Sequence, residues 1–135
     1  GEQLIMDDRD GILGREENLL STASFISIGE VFPLVSGFGG VCYPAHVDRP
    51  SFSVVANLGS FDESWGFANA EMSAFAQADR LVEEHPLLGK MRLLRASDAH
   101  CLENIGSANT ELELPSASPQ AVIDLLKGNY YLQGM

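Results

Sequence analysis

The sequence is poor in the residues that most often announce a site. It holds three histidines, His46, His85 and His100, and two cysteines, Cys42 and Cys101. No CxxC pair or other zinc-finger spacing occurs, which excludes a structural zinc site of the cysteine-rich kind. Basic residues are scarce as well: 8 Lys and Arg stand against 19 Asp and Glu, a formal net charge of −11. A surface that acidic repels phosphate backbones and anionic lipid, so neither non-specific duplex nucleic acid nor a membrane is an expected partner. No apolar run approaches the roughly 20 residues of a bilayer span. No basic segment leads into an apolar stretch as in a signal peptide. Gly1 stands where a natural chain would open on Met, so we expect a cut or subcloned piece. Two thiols without a secretory leader fit a reducing cytoplasm, the expected location, although spacing alone leaves a disulfide between them open.

What is present suits one modest domain. The chain has 135 residues and is 45% hydrophobic, enough for a core and too apolar for disorder. Residues 3–6 are a short apolar run and 7–11 (DDRDG) a strong turn signal, with Ile12 and Leu13 returning as the second strand of a hairpin. Ser27 followed by Glu30 is a capping-box pattern, and Ile28, Val31, Leu34 and Val35 recur at helical spacing. Pro33 is placed early in that helix and Gly37, Gly39 and Gly40 end it. Residues 41–45 predict a buried strand running into His46. A short helix is expected over 51–58, a loop over 60–67, a weak strand over 70–72 and a helix over 74–84 stopped by His85-Pro86. A strand over 92–96 leads to Ser97-Asp98-Ala99-His100, Leu112 and Leu114 mark a last strand, and Ser118-Pro119 opens a final helix. That helix turns Val122, Ile123, Leu125 and Leu126 inward, and Gly128 closes it. Strands alternating with helices predict an α/β layout with mostly parallel strands.

Two segments carry chemistry. In each, an apolar strand ends in a short polar cluster with a histidine: PAHVDRP over 44–50 and ASDAH over 96–100. The ligand face of a parallel α/β fold lies at the C-terminal strand ends, so both clusters are expected on one cavity. Asp98 and His100, two residues apart on extended chain, point the same way. A carboxylate and an imidazole so placed suit a divalent metal, with His46 as a third donor. For either cluster alone, a hydrogen-bonded strand-end histidine and a capping aspartate explain the residues better; it is the pairing of the two clusters that favours the metal. Arg49 is read as an anion holder or as half of a local ion pair. Asp48 reads as a solvated turn residue in preference to a supporting partner, and His85 as a helix-end histidine. Cys101 reads as a buried inert thiol, Glu71 as a surface carboxylate, and Phe75, Tyr130 and Tyr131 as core aromatics.

The stretch GGVCYPAHVDRPSFSVVANLG (39–59) together with RASDAHCLENIG (95–106) resembles the C-terminal part of the PHP (polymerase and histidinol phosphatase) family. The segments 1–20 and 119–128 resemble a bacterial subgroup of it. The resemblance implies the later part of a distorted (β/α)7 barrel, with the metal site at the C-terminal strand ends. It implies metal-dependent hydrolysis of phosphoesters, with up to three divalent ions (Zn, Mn or Fe) and a small phosphoester or nucleotide as substrate. It makes His46, Asp98 and His100 metal ligands; Asp98 and His100 are then expected in the catalytic site, and Arg49 joins them as a phosphate contact by extrapolation from its place beside His46, not from the family pattern. PHP sites begin with a His-x-His motif, and none occurs here. The expectation is therefore that residues 1–135 are the C-terminal fragment of a PHP domain. Such a fragment would be inactive alone, bind metal more weakly than its parent, and self-associate through uncovered strand edges. The rival expectations are a non-catalytic scaffold domain and an anion-binding regulatory domain built on Arg49.

Overall fold

The structure, a computed structural model, describes residues 2–128. It opens with the expected hairpin: β1 (Leu4–Met6) and β2 (Ile12–Arg15) pair antiparallel. Asp7 makes the turn, its carboxylate accepting from the N–H groups of Arg9 and Gly11 while its own N–H reaches the Gly11 carbonyl. α1 (Ile28–Gly37) starts at Ser27, whose N–H donates to the Glu30 carboxylate at 2.9 Å. Pro33 lies inside α1 rather than in its first turn, so the Gly29 carbonyl loses its helical donor. The helix ends in a Schellman turn, with Gly40 N–H on the Val35 carbonyl and Gly39 N–H on that of Ser36. Gly39 supplies the required positive φ of 76°. α2 (Val54–Leu58) is capped by the buried Ser53, whose hydroxyl accepts from Ala56 N–H and donates to the Arg49 carbonyl.

β3 (Asn69–Met72) and β4 (Arg92–Arg95) pair in parallel, in register from Asn69 with Arg92 to Met72 with Arg95. The crossover between them is α3 (Ala78–Glu84) followed by a 3-10 turn, Pro86–Lys90. This unit holds the core: Val47, Ala70, Met72, Leu81, Leu88 and Met91 pack together, with Phe61, Phe67 and Leu93 at its margin. α1 leans on the neighbouring turn, where Phe32 meets Phe67 edge-on at 6.4 Å. Gly66 is required there, because its φ is 77° and a Cβ would lie 2.8 Å from the Phe32 ring. α4 (Pro119–Lys127) is capped by Ser118 and buries Ala121 and Leu126, with Val122, Ile123 and Leu125 half-buried. Its last turn is tied back to the core by the buried Asn69 amide, which donates to the Leu126 carbonyl at 2.7 Å. Lys127 Nζ donates to the Gly39 carbonyl in the turn after α1.

The α/β class and a parallel pair are as expected. Among the described residues the strands form two two-stranded sheets, and no barrel closes. Residues 41–45 do not form a regular strand, yet they run beside β3. Glu71 N–H donates to the Pro44 carbonyl and the Glu71 carbonyl accepts from Val47 N–H, both at 2.8 Å. A regular parallel pair would use residues 44 and 46. The extra residue makes a bulge, and Pro44, lacking an N–H, cannot extend the ladder. The expected strand at Leu112 and Leu114 is also irregular. The β4 edge beside it is occupied instead by the Thr110 hydroxyl, which accepts from Arg95 N–H at 2.6 Å and donates to the Arg95 carbonyl at 3.0 Å. α3 starts four residues later than expected, and a 3-10 turn, Glu63–Trp65, interrupts the 60–67 loop. Phe75 is 94% exposed, a correction to its core assignment: it lies in the connection ahead of α3 and meets no packed layer. Tyr130 and Tyr131 lie outside the described residues. No helix among the described residues is long and apolar enough to cross a membrane.

Candidate functional site

Three chain segments reach the C-terminal end of the parallel unit: 46–49 after the bulge, 73–76 after β3, and 96–100 after β4. The bulge sets the first. It places His46 in left-handed backbone at φ 32°, and Arg49 N–H then closes a turn on the His46 carbonyl at 3.0 Å. Asp98, likewise left-handed at φ 47°, turns the chain sharply after β4. Positive φ outside glycine is uncommon and gathers at sites where the surroundings enforce it.

The segments are laced together by charged side chains. Arg49 Nη1 lies 2.8 Å from Asp98 Oδ2, so the two polar clusters do meet. The contact is ionic and its angle does not make a hydrogen bond. Asp48 accepts from Ser73, through the N–H at 2.7 Å and through the hydroxyl. It is therefore no free turn residue, and its role is to tie the first segment to the second. Arg95 does most of the remaining work. Its guanidinium donates to the carbonyls of Ser73 (3.0 Å), Ala74 (2.6 Å) and Ala76 (2.8 Å). Neither Arg95 nor Ser73 was anticipated from sequence. An arginine at the last position of a strand before a polar cluster is the one signal that could have raised it.

The three proposed ligands differ in setting. His46 is half-buried, and its Nδ1 is buried without a hydrogen-bond partner. Asp98 is 21% exposed at its side chain. His100 is 80% exposed, its Nδ1 sitting 2.8 Å from the Asp98 carbonyl oxygen and 3.9 Å from Asp98 Oδ1. Buried imidazole nitrogens are rarely left unpaired, and two imidazoles with a carboxylate are a donor set for Zn, Mn or Fe. In chemistry, then, the residues fit a divalent ion. Among the described residues, however, no three His, Cys, Asp or Glu side chains gather closely enough to hold one.

Neighbouring groups are more ordinary. His85 ends α3 and packs edge-on against Phe61 at 5.9 Å, consistent with a helix-end role. Cys101 is exposed, a correction to the buried thiol expected, because Asp98 and the turn after it carry the chain outward. Its thiol and the Glu103 backbone hold the Glu103 carboxyl below its usual range, the backbone contact first. Cys42 and Cys101 are both free, and burial pushes the Cys42 thiol up. Glu71 is half-buried, and its charge adds to burial in raising the Tyr43 phenol.

Residues 92–129 match the family described as PHP-associated. Over that segment, well under half of the chain, the sequence is similar to PHP-associated regions. The match takes in β4, the 96–118 connection and α4, so Asp98 and His100 of the PHP-associated segment fall inside it, while His46 and Arg49 lie upstream. No curated protein and no solved structure matches the chain.

Proposed function

We propose that this chain supplies the later ligands, His46, Asp98 and His100, of a PHP-type phosphoesterase site, with Arg49 as the group that holds a substrate phosphate. The observation that carries the reading is the contact between Arg49 and Asp98, which brings the AHVDR and SDAH clusters to one end of the parallel unit. The buried, unpaired Nδ1 of His46, three residues before Arg49 in the chain, supports the same reading. A divalent ion held there would supply Lewis-acid activation of water and charge neutralisation at phosphorus. The chain's own part would be to orient: Asp48 and Arg95 fix the strand-end segments, and Arg49 offers a guanidinium to a small phosphoester or nucleotide. Because these 135 residues contain no His-x-His, the remaining ligands and the strands that close a (β/α)7 barrel would come from polypeptide beyond them. The two free thiols support a reducing, cytoplasmic setting.

Asp98→Ala is expected to lower bound Zn or Mn, measured by elemental analysis after equilibrium dialysis, and to abolish any hydrolysis across a panel of phosphoesters. Unchanged metal content in that variant would refute the assignment. A second reading, a non-catalytic scaffold domain, is favoured by the failure of three donors to gather among the described residues. It predicts no metal above background in the unmodified chain.

A further inference from the structure

We propose that residues 110–114 are a strap for the open edge of β4: they close onto it as an antiparallel strand, Thr110 opposite Arg95 and Leu112 opposite Leu93. The strap owes nothing to a bound metal, and it braces the loop that carries Asp98 and His100.

The bonding parity of β4 defines the edge. Arg92 N–H donates to the Ala68 carbonyl and Ala96 N–H to that of Met72, so residues 92, 94 and 96 turn their backbone groups toward β3. Leu93 and Arg95 turn theirs the other way. Arg95 spends both on one side chain, since the Thr110 hydroxyl accepts from its N–H at 2.6 Å and donates to its carbonyl at 3.0 Å. The outward N–H and carbonyl of Leu93 find no partner among the described residues. On the far side of the sheet the matching groups are used: Glu71 of β3 is bonded through its N–H to Pro44 and through its carbonyl to Val47. Unpaired groups on a strand edge are a template for a further strand.

The strap is already aligned with that edge. Leu112 and Leu114 are half-buried while Glu111 and Glu113 are exposed, the two-residue alternation of a strand covered on one face. Thr110 sits at Arg95, and residues 110–113 share with Arg92 and with Leu125 of α4 a cavity of about 470 Å³. The segment therefore runs back along β4 from its end toward its start. The hydroxyl holds it off, because Thr110 answers Arg95 with its side chain and keeps its own backbone out of the ladder. Exchanging hydroxyl for backbone at Arg95 loses no bond there and gains two at Leu93. The Thr110–Arg95 pair also closes the base of the 96–109 loop, on which Asp98 and His100 sit, so closure of the strap braces the root of that loop.

Hydrogen exchange, followed residue by residue by NMR on the whole 135-residue chain at two protein concentrations, tests the strap. The Leu93 amide is expected to exchange about tenfold more slowly than an unprotected amide, since two bonds of ordinary strength hold the closed form. Thr110→Val keeps the β-branched shape, removes the competing hydroxyl and should slow Leu93 further. Leu112→Pro removes the N–H that must donate to the Leu93 carbonyl and should return the Leu93 amide to the unprotected rate. The Leu94 amide, which faces β3, should stay protected throughout and reports that the sheet is folded. Free exchange of Leu93 in both the unmodified chain and Thr110→Val would overturn the proposal. So would protection that survives Leu112→Pro with Leu94 intact, or that grows with protein concentration, which would assign the edge to a second copy. If Leu112→Pro exposes Leu94 as well, Thr110→Val decides alone: slower exchange at Leu93 upholds the strap, and unchanged or faster exchange ends it.

Discussion

The N-terminal hairpin and the parallel unit are both made of strands three or four residues long, and they are stabilised differently. In the parallel unit, Ala70 and Leu88 are completely buried, and the helical crossover covers the pair from one side. In the hairpin, every residue of β1 is exposed, and Ile12 and Leu13 of β2 stand 64% and 69% open. A lone two-stranded hairpin is marginal in water. The difference teaches that hydrogen-bond pairing alone does not place a segment in a fold. The parallel pair is supported by a covering layer, whereas the antiparallel pair is held by its Asp7 turn. Leu4, Ile5, Met6, Ile12, Leu13, Leu19 and Leu20 all stand exposed along this part of the chain, and this is the surface on which self-association is proposed.

The comparison is broken most directly in the core. Leu88→Ala should cost about 2–5 kcal/mol in a denaturant titration, since a fully buried leucine leaves a cavity that its neighbours fill poorly. Leu13→Ala should stay within about 0.5 kcal/mol for an exposed site. Equal losses would mean that the hairpin is packed against something in solution. The second test concerns that surface. The chain should sediment above its monomer mass, and Ile12→Lys combined with Leu13→Lys should return it to monomer without changing its circular dichroism. A wild-type chain that is already monomeric would remove a second copy as the occupant of the hairpin face. The smallest effect is on α1. Ser27 holds the Glu30 carboxyl below its ordinary value of 4.5, through the side chain first and the backbone second. A lowered folded-state pKa stabilises above the unfolded value and is lost as pH falls through the folded one. Helical signal should therefore decline in acid below the ordinary carboxylate range, and Glu30→Gln should flatten that decline.

Legibility in the sequence followed the range of the interactions. The hairpin turn, the capping box, the Schellman glycines and the Ser118 cap are local patterns, and each was read where it stands. So was the parallel pair, because alternating strands and helices leave few other arrangements. The misreadings are non-local. Residues 41–45 have strand composition, but Pro44 and the bulge before Val47 limit their pairing to two bonds. Leu112 and Leu114 have strand spacing, but the segment before them spends the Thr110 hydroxyl on the Arg95 backbone and does not continue as a ladder. Phe75 and Cys101 look like core residues and sit on segments that turn outward. At the site, the expected meeting of the two polar clusters is seen as the Arg49–Asp98 contact, although the first cluster follows an irregular segment and not a strand. Arg95 was missed because three carbonyls of a loop become a site only once the loop is folded.

The bonds from Asn69 to Leu126 and from Lys127 to Gly39 join residues 57 and 88 positions apart in the chain. During synthesis, Gly39 and Asn69 leave the ribosome long before their partners exist. At the usual pace of translation, some seconds pass with β3 formed or forming and its buried amide unanswered. α4 thus acts as a clasp that closes only after residues 119–127 have emerged, and until then a nascent chain has an open seam at β3 and at the turn after α1.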